Sequence, residues 1–74
     1  MIKMLLEVVN TVRDNKGLSE LDNIRREDDL RRDLELDSLD LAELTVRIES
    51  ATGVDVFADS FVNTIGEILD KIEK

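Results

Sequence analysis

The chain has 74 residues, with 18 Asp and Glu against 10 Lys and Arg for a formal charge of −8, and it contains no Cys, His, Trp or Tyr. That excludes a disulfide framework, thiolate chemistry, zinc clusters and imidazole base catalysis. A domain this short buries only about 60% of its unfolded surface, which leaves no room for a walled substrate cleft.

The acidic balance argues against nucleic acid and against anionic membrane surfaces, both of which demand a basic footprint. It favours basic protein partners, whose encounter it steers. The opening Met1-Ile2-Lys3-Met4-Leu5-Leu6-Glu7 lacks an apolar run of signal-peptide length. No stretch approaches the roughly 20 apolar residues of a membrane span. The expectation is a soluble, cytoplasmic, monomeric single domain over residues 1–74 that is not itself an enzyme.

Ile2, Leu5, Leu6, Val9 and Val12 recur at helical spacing, with Lys3, Glu7, Asn10 and Arg13 on other faces, and predict the first helix. Gly17 stands where a left-handed helix stop is expected. From Leu18 to Leu36 regular period is lost and charge is dense. Leu18, Leu21, Ile24, Leu30 and Leu34 recur through this stretch and read as pegs holding a long ordered connection, with a short helical turn expected within Ser19–Ile24.

Asp37-Ser38-Leu39-Asp40 opens the second helix, since either Asp37 or Ser38 can cap free N–H groups. Leu41, Leu44, Ile48 and Ala51 form its predicted inward stripe; Asp40, Glu43, Arg47 and Glu49 lie largely off it, and Thr52-Gly53 end it. Alternation in Val54–Phe61 suggests a strand, but a lone strand has no partner, so a loop leading to a short helical turn is expected. Thr64 and Glu67 match capping-box spacing, and Ile65, Ile68, Leu69 and Ile72 give the last helix its apolar face. Gly66 falls in its first turn, where a glycine's cost of at most about 1 kcal/mol is softened. The fold class is all-α, a four-helix bundle of three longer helices and one short one, with a long first loop.

A serine at a helix N-terminus is exposed, and a phosphate attached there meets free N–H groups and the positive end of the helix dipole. The plain reading of Ser38 is an N-cap worth about 1 kcal/mol, and spacing alone favours it. Context reverses that preference. The run Asp33-Leu34-Glu35-Leu36-Asp37-Ser38-Leu39-Asp40-Leu41-Ala42-Glu43-Leu44 resembles the attachment motif of the acyl carrier protein family, and the order of helices resembles it over nearly the whole chain.

The resemblance implies that Ser38, with Asp37 and Leu39 beside it, accepts 4′-phosphopantetheine from coenzyme A, transferred by a separate magnesium-dependent phosphopantetheinyl transferase. The arm's thiol then carries an acyl or aminoacyl thioester, in fatty-acid, polyketide or specialised lipid or secondary-metabolite biosynthesis. It also implies that Asp37, Leu39, Asp40, Glu43 and Glu49 dock on basic patches of the transferase, of a loading ligase and of acyl-transferring enzymes. The plain reading of these acids is solvated charge at a helix start. Because Asp40 and Glu43 lie off the predicted stripe, reversing either charge is expected to cost the fold little.

The chain departs from the family pattern in three places. Many members carry glycine where Glu35 stands, fatty-acid carriers often end the second helix with a cluster of acids that Arg47, Ser50 and Ala51 dilute here, and a proline often follows the stretch matching Val54–Val56, where this chain has Phe57. These departures point to a specialised carrier. The alternating run Arg25–Asp33 reads as a solvated, mutually paired loop, and Asp28, Asp29 and Asp33 lack calcium-loop spacing. An acidic helical interaction module without a prosthetic group is the alternative function. With so many acids on a small surface, the melting temperature is expected to rise from low to moderate sodium chloride, as repulsion is screened within about 10 Å at 0.1 M salt. A flat or falling trend in a salt series followed by circular dichroism would show that the arginines already compensate the acids.

Overall fold

The computed structural model describes residues 1–58 and 62–73, which form three helices: α1 (Ile2–Asn15), α2 (Ser38–Thr52) and α3 (Ile65–Ile72). There is no strand among the described residues, only an isolated antiparallel bridge between Asp29 and Thr64. The fold is all-α with a long first connection, as expected, but three helices rather than four stand among these residues. Val54–Ala58 is a loop ending in a turn, in which the Ala58 N–H donates to the Asp55 carbonyl at 3.3 Å. The short helical turn expected beyond it falls on residues 59–61, outside the described residues.

Leu5, Val9 and Val12 are fully buried and draw α1 onto the core, while Ile2 in the first turn is exposed, contrary to its predicted inward place. The helix stops as Gly17 adopts φ 82°: the Gly17 N–H donates to the Asp14 carbonyl and the Leu18 N–H to the Arg13 carbonyl, each at 3.0 Å. This is the paired bonding of a left-handed glycine stop. In α2, Leu41, Leu44 and Ile48 are buried, but Ala51 is exposed. The stripe follows the i+4 row from Ile48 to the half-buried Thr52, whose hydroxyl donates to the Ile48 carbonyl at 2.8 Å.

Four of the five expected pegs hold, while Leu18 is half-buried and stands outside the core cluster. Ile24, Leu30, Leu34 and Leu36 are buried in the core formed by the helices, with Leu21 packed against it. Two polar side chains of α1, read from the sequence as outward-facing, do the rest. Asn10 makes a reciprocal pair with the Leu21 backbone, donating to its carbonyl at 3.0 Å and accepting from its N–H at 2.8 Å. Arg13 is only 4% exposed. Its guanidinium donates to the Ser19 carbonyl at 3.0 and 3.2 Å and to the Leu34 carbonyl at 2.7 Å, so one side chain spans the loop from near its start to near its end.

The helical turn expected in Ser19–Ile24 lies further on instead, where the Asp33 and Leu34 N–H groups both donate to the Asp29 carbonyl. Asp29 is the reason. Its carboxylate caps the turn by accepting from the Arg31 and Arg32 N–H groups at 2.9 and 2.8 Å, which holds its pKa below the ordinary value. The Asp33 carboxylate accepts from the Asp29 N–H, and Asp28 from the Arg25 N–H, so these acids serve the backbone.

The predicted capping box of α3 forms. Thr64 Oγ1 accepts from the Glu67 N–H at 3.2 Å, and Glu67 Oε1 accepts from the Thr64 N–H at 3.1 Å. Gly66 has a packing role beyond a softened cost. Its N–H donates to the Arg26 carbonyl at 2.9 Å, and a Cβ there would lie 3.1 Å from the same oxygen, so a larger residue would press the connection back by a few tenths of an ångström.

Replacing Arg13 by Met keeps the apolar stem but strips the donors from two carbonyls. The expected loss is about 2–4 kcal/mol of unfolding free energy, read by urea titration. Arg13→Lys should recover only part of it, since an ammonium cannot present the same fork. A loss below about 1 kcal/mol would show that water replaces the guanidinium without difficulty.

Candidate functional site

The start of α2 is built by two aspartates. Asp37 takes extended backbone geometry and acts as the N-cap: its carboxylate accepts from the Asp40 N–H at 3.0 Å, while Asp40 Oδ2 accepts from the Asp37 N–H at 2.9 Å. This is a reciprocal capping box with Asp at both positions. The sequence left open whether Asp37 or Ser38 caps the helix, and the geometry assigns the task to Asp37. Ser38, the first helical residue, is therefore exposed with a hydroxyl that the helix does not use. Among the described residues its one side-chain neighbour in hydrogen-bond range is Arg31, whose Nη2 lies 3.5 Å from Ser38 Oγ.

The approach to the box is clamped from the end of α1. Lys16 Nζ donates to the Glu35 carbonyl at 2.7 Å and pairs with Asp40 Oδ2 at 2.6 Å. Its ammonium is raised above its ordinary pKa, chiefly by the hydrogen bond to Asp40. Partial burial acts to raise the Asp40 carboxyl, but the Asp37 N–H and the Lys16 ammonium outweigh it and hold it below its ordinary value. Glu35 sits at φ 60°, the left-handed geometry that a glycine at this place would suit. Glu35 holds this conformation at a cost of about 1–2 kcal/mol for a residue with a Cβ. Its exposed carboxylate lies 3.8 Å from Arg13, a weak return on that strain.

The residues named from the sequence for docking fall into two groups. Asp37, Leu39 and Glu49 are exposed, Leu39 by 82%. Asp40 and Glu43 are half-buried: Asp40 in the cap and the Lys16 pair, Glu43 accepting from Arg47 at 2.9 Å and from Asn15 at 3.0 Å. The expectation that charge reversal at Asp40 costs the fold little is therefore corrected, because a lysine there would open the box and face Lys16. Val46, 65% exposed and seven residues from Leu39 on the same helix face, was missed; its spacing from Leu39 was the available signal. Arg31 was missed as well, read only as one charge in a paired run.

An open groove of about 380 Å³ starts at Ser38 and is lined by Arg31, Leu41, Ala42, Thr45, Asp55 and Phe57. An exposed hydroxyl at a helix N-terminus, with a cation beside it and an apolar groove leading away, fits a phosphate-linked arm. Comparison with known proteins leads to the same class. Residues 6–72 match the family model described as the phosphopantetheine attachment site. An acyl carrier protein of Coprothermobacter proteolyticus is 33% identical over 73 residues, covering 96% of this chain and 88% of that protein. No solved structure shows a significant match.

The chain belongs to the acyl carrier protein family. It is a non-catalytic carrier whose cofactor is covalent 4′-phosphopantetheine, and the alternative of an interaction module without a prosthetic group gives way to this match. Carriers of this kind interact with phosphopantetheinyl transferases and acyl-handling enzymes. No helix among the described residues is long and apolar enough to cross a membrane.

The lowered pKa of Asp40 makes a signed prediction. A carboxyl depressed in the fold stabilises it fully above the ordinary value of about 3.9, and that contribution is lost as pH falls through the lower folded value. Asp40→Asn should therefore be less stable than the parent near neutral pH, with the gap closing in acid. Urea titrations carried stepwise into acid read this, and a gap that stays constant would show that hydrogen-bond geometry matters there and charge does not.

Proposed function

We propose that Ser38 is the residue that bears the arm, its Oγ supplying the oxygen of the phosphodiester link. The observation that carries this reading is the assignment of the cap to Asp37, which leaves the Ser38 hydroxyl exposed and unneeded by the helix. When bound, the arm supplies a terminal thiol, which the cysteine-free chain lacks and on which acyl or aminoacyl groups are held as thioesters. The chain's own residues keep the attachment point at the end of a rigid, capped helix, open to solvent and to partners.

The exposed Leu39 and Val46 form an apolar edge on α2, with Asp37, Asp40, Glu43 and Glu49 around it. This edge is the docking face for the transferase, the loading ligase and acyl-transferring enzymes with basic patches. Asp40 contributes to it only with what the cap and Lys16 leave free. The carrier acts as a cytoplasmic monomer in fatty-acid, polyketide or specialised lipid or secondary-metabolite biosynthesis. The departures from the family pattern at Arg47, Ser50 and Phe57 favour the specialised roles.

Incubation with coenzyme A, magnesium and a broad-specificity transferase should add one arm, read by intact-mass spectrometry. Ser38→Ala should add none while keeping its helical circular dichroism, because the cap is intact. Modification of Ser19 or Ser50 in place of Ser38 would overturn the assignment.

A further inference from the structure

We propose that Arg31 is the positioning residue for the arm, holding its phosphodiester through an ion pair at the base of the groove. The inference rests on attachment at Ser38.

The place of Arg31 is built into the connection. Leu30, fully buried, anchors the turn, and its N–H donates to the Asn63 carbonyl at 2.8 Å. The Asp29 carboxylate then fixes the next two backbone N–H groups, that of Arg31 at 2.9 Å. From this fixed base the guanidinium reaches Ser38 Oγ at 3.5 Å, a long contact for a hydroxyl. The phosphate oxygens of a diester on Oγ lie two bonds beyond that atom. A guanidinium already at this range meets them with a change of side-chain torsion alone.

The other charges support the assignment. Arg13, Arg25, Arg26, Arg32 and Arg47 each have a carboxylate neighbour among the described residues, and Arg31 has none among them. The arm brings one more negative charge to a chain already at −8, next to Asp37 and Asp40. A planar, weakly hydrated fork is the side chain suited to offset it. Arg31 also lines the groove that runs past Leu41, Thr45 and Phe57. An ion pair there directs the first bonds of the arm along the groove and away from the Leu39 edge.

The test compares the parent, Arg31→Gln and Arg31→Lys, each isotopically labelled and loaded with the arm. Intact mass must first show one arm per chain. The Arg31 Nε–H signal of the parent should shift between unloaded and loaded protein. The phosphorus signal of loaded Arg31→Gln should differ from the parent's at low salt, the difference should shrink as salt is added, and Arg31→Lys should fall between. An unmoved Nε–H signal, or identical phosphorus signals in loaded parent and Arg31→Gln at low salt, overturns the proposal and leaves attachment at Ser38 standing. A parent chain that gains no arm overturns both. Should Arg31→Gln resist loading, the parent's Nε–H shift and the Arg31→Lys phosphorus signal decide the matter by the same criteria.

Discussion

The guanidinium of Arg13 is the point on which the arrangement of this small domain turns. The connection between α1 and α2 is long, carries many charges and has no helix among its residues, so its apolar pegs alone leave its path loosely determined. Arg13 removes that freedom by donating to carbonyls at both ends of the connection, at Ser19 and at Leu34. Burying a guanidinium is expensive unless its donors are used, and here backbone oxygens use them. With Leu34 fixed, Leu36 enters the core, and the chain arrives at Asp37 in the extended geometry that a cap requires.

The same end of α1 settles the electrostatics at the start of α2. Glu35, Asp37 and Asp40 crowd three carboxylates into six residues of an already acidic chain. Lys16 answers the most enclosed of them, Asp40, and its second bond to the Glu35 carbonyl supports the left-handed turn that this glutamate makes without the help of glycine. Helix dipole, capping box and ammonium all act in one sense there. The acids serve the architecture first, and what remains of their charge faces outward.

Much of this could be read from the residues in advance. Leu5, Val9, Val12, Leu41, Leu44 and Ile48 announce two helices by period, Thr64 and Glu67 a third start, and Gly17 a stop. Those signals are local, repeating every three or four positions. The misses share a different cause. Arg13, Asn10 and Lys16 act on backbone oxygens far along the chain, and a polar side chain looks the same in sequence whether it meets water or a distant carbonyl. Gly66 was read for its helix propensity, whereas its role lies in the nearness of Arg26. At the site, Asp37 and Ser38 are both competent caps, and only the backbone geometry of Asp37 separates them. Arg31 was hidden among neighbours that are indeed paired.

The division of labour between Asp37 and Ser38 has a thermodynamic consequence. Were the serine hydroxyl the cap, esterifying it would remove an acceptor that the helix end needs, and loading would be coupled to partial unwinding. With the aspartate as cap, esterifying Ser38 as proposed would exchange no bond that holds the helix. Attachment of an arm at the proposed site would then leave the helix start unchanged, and the later exchange of acyl groups on its thiol would take place away from the cap.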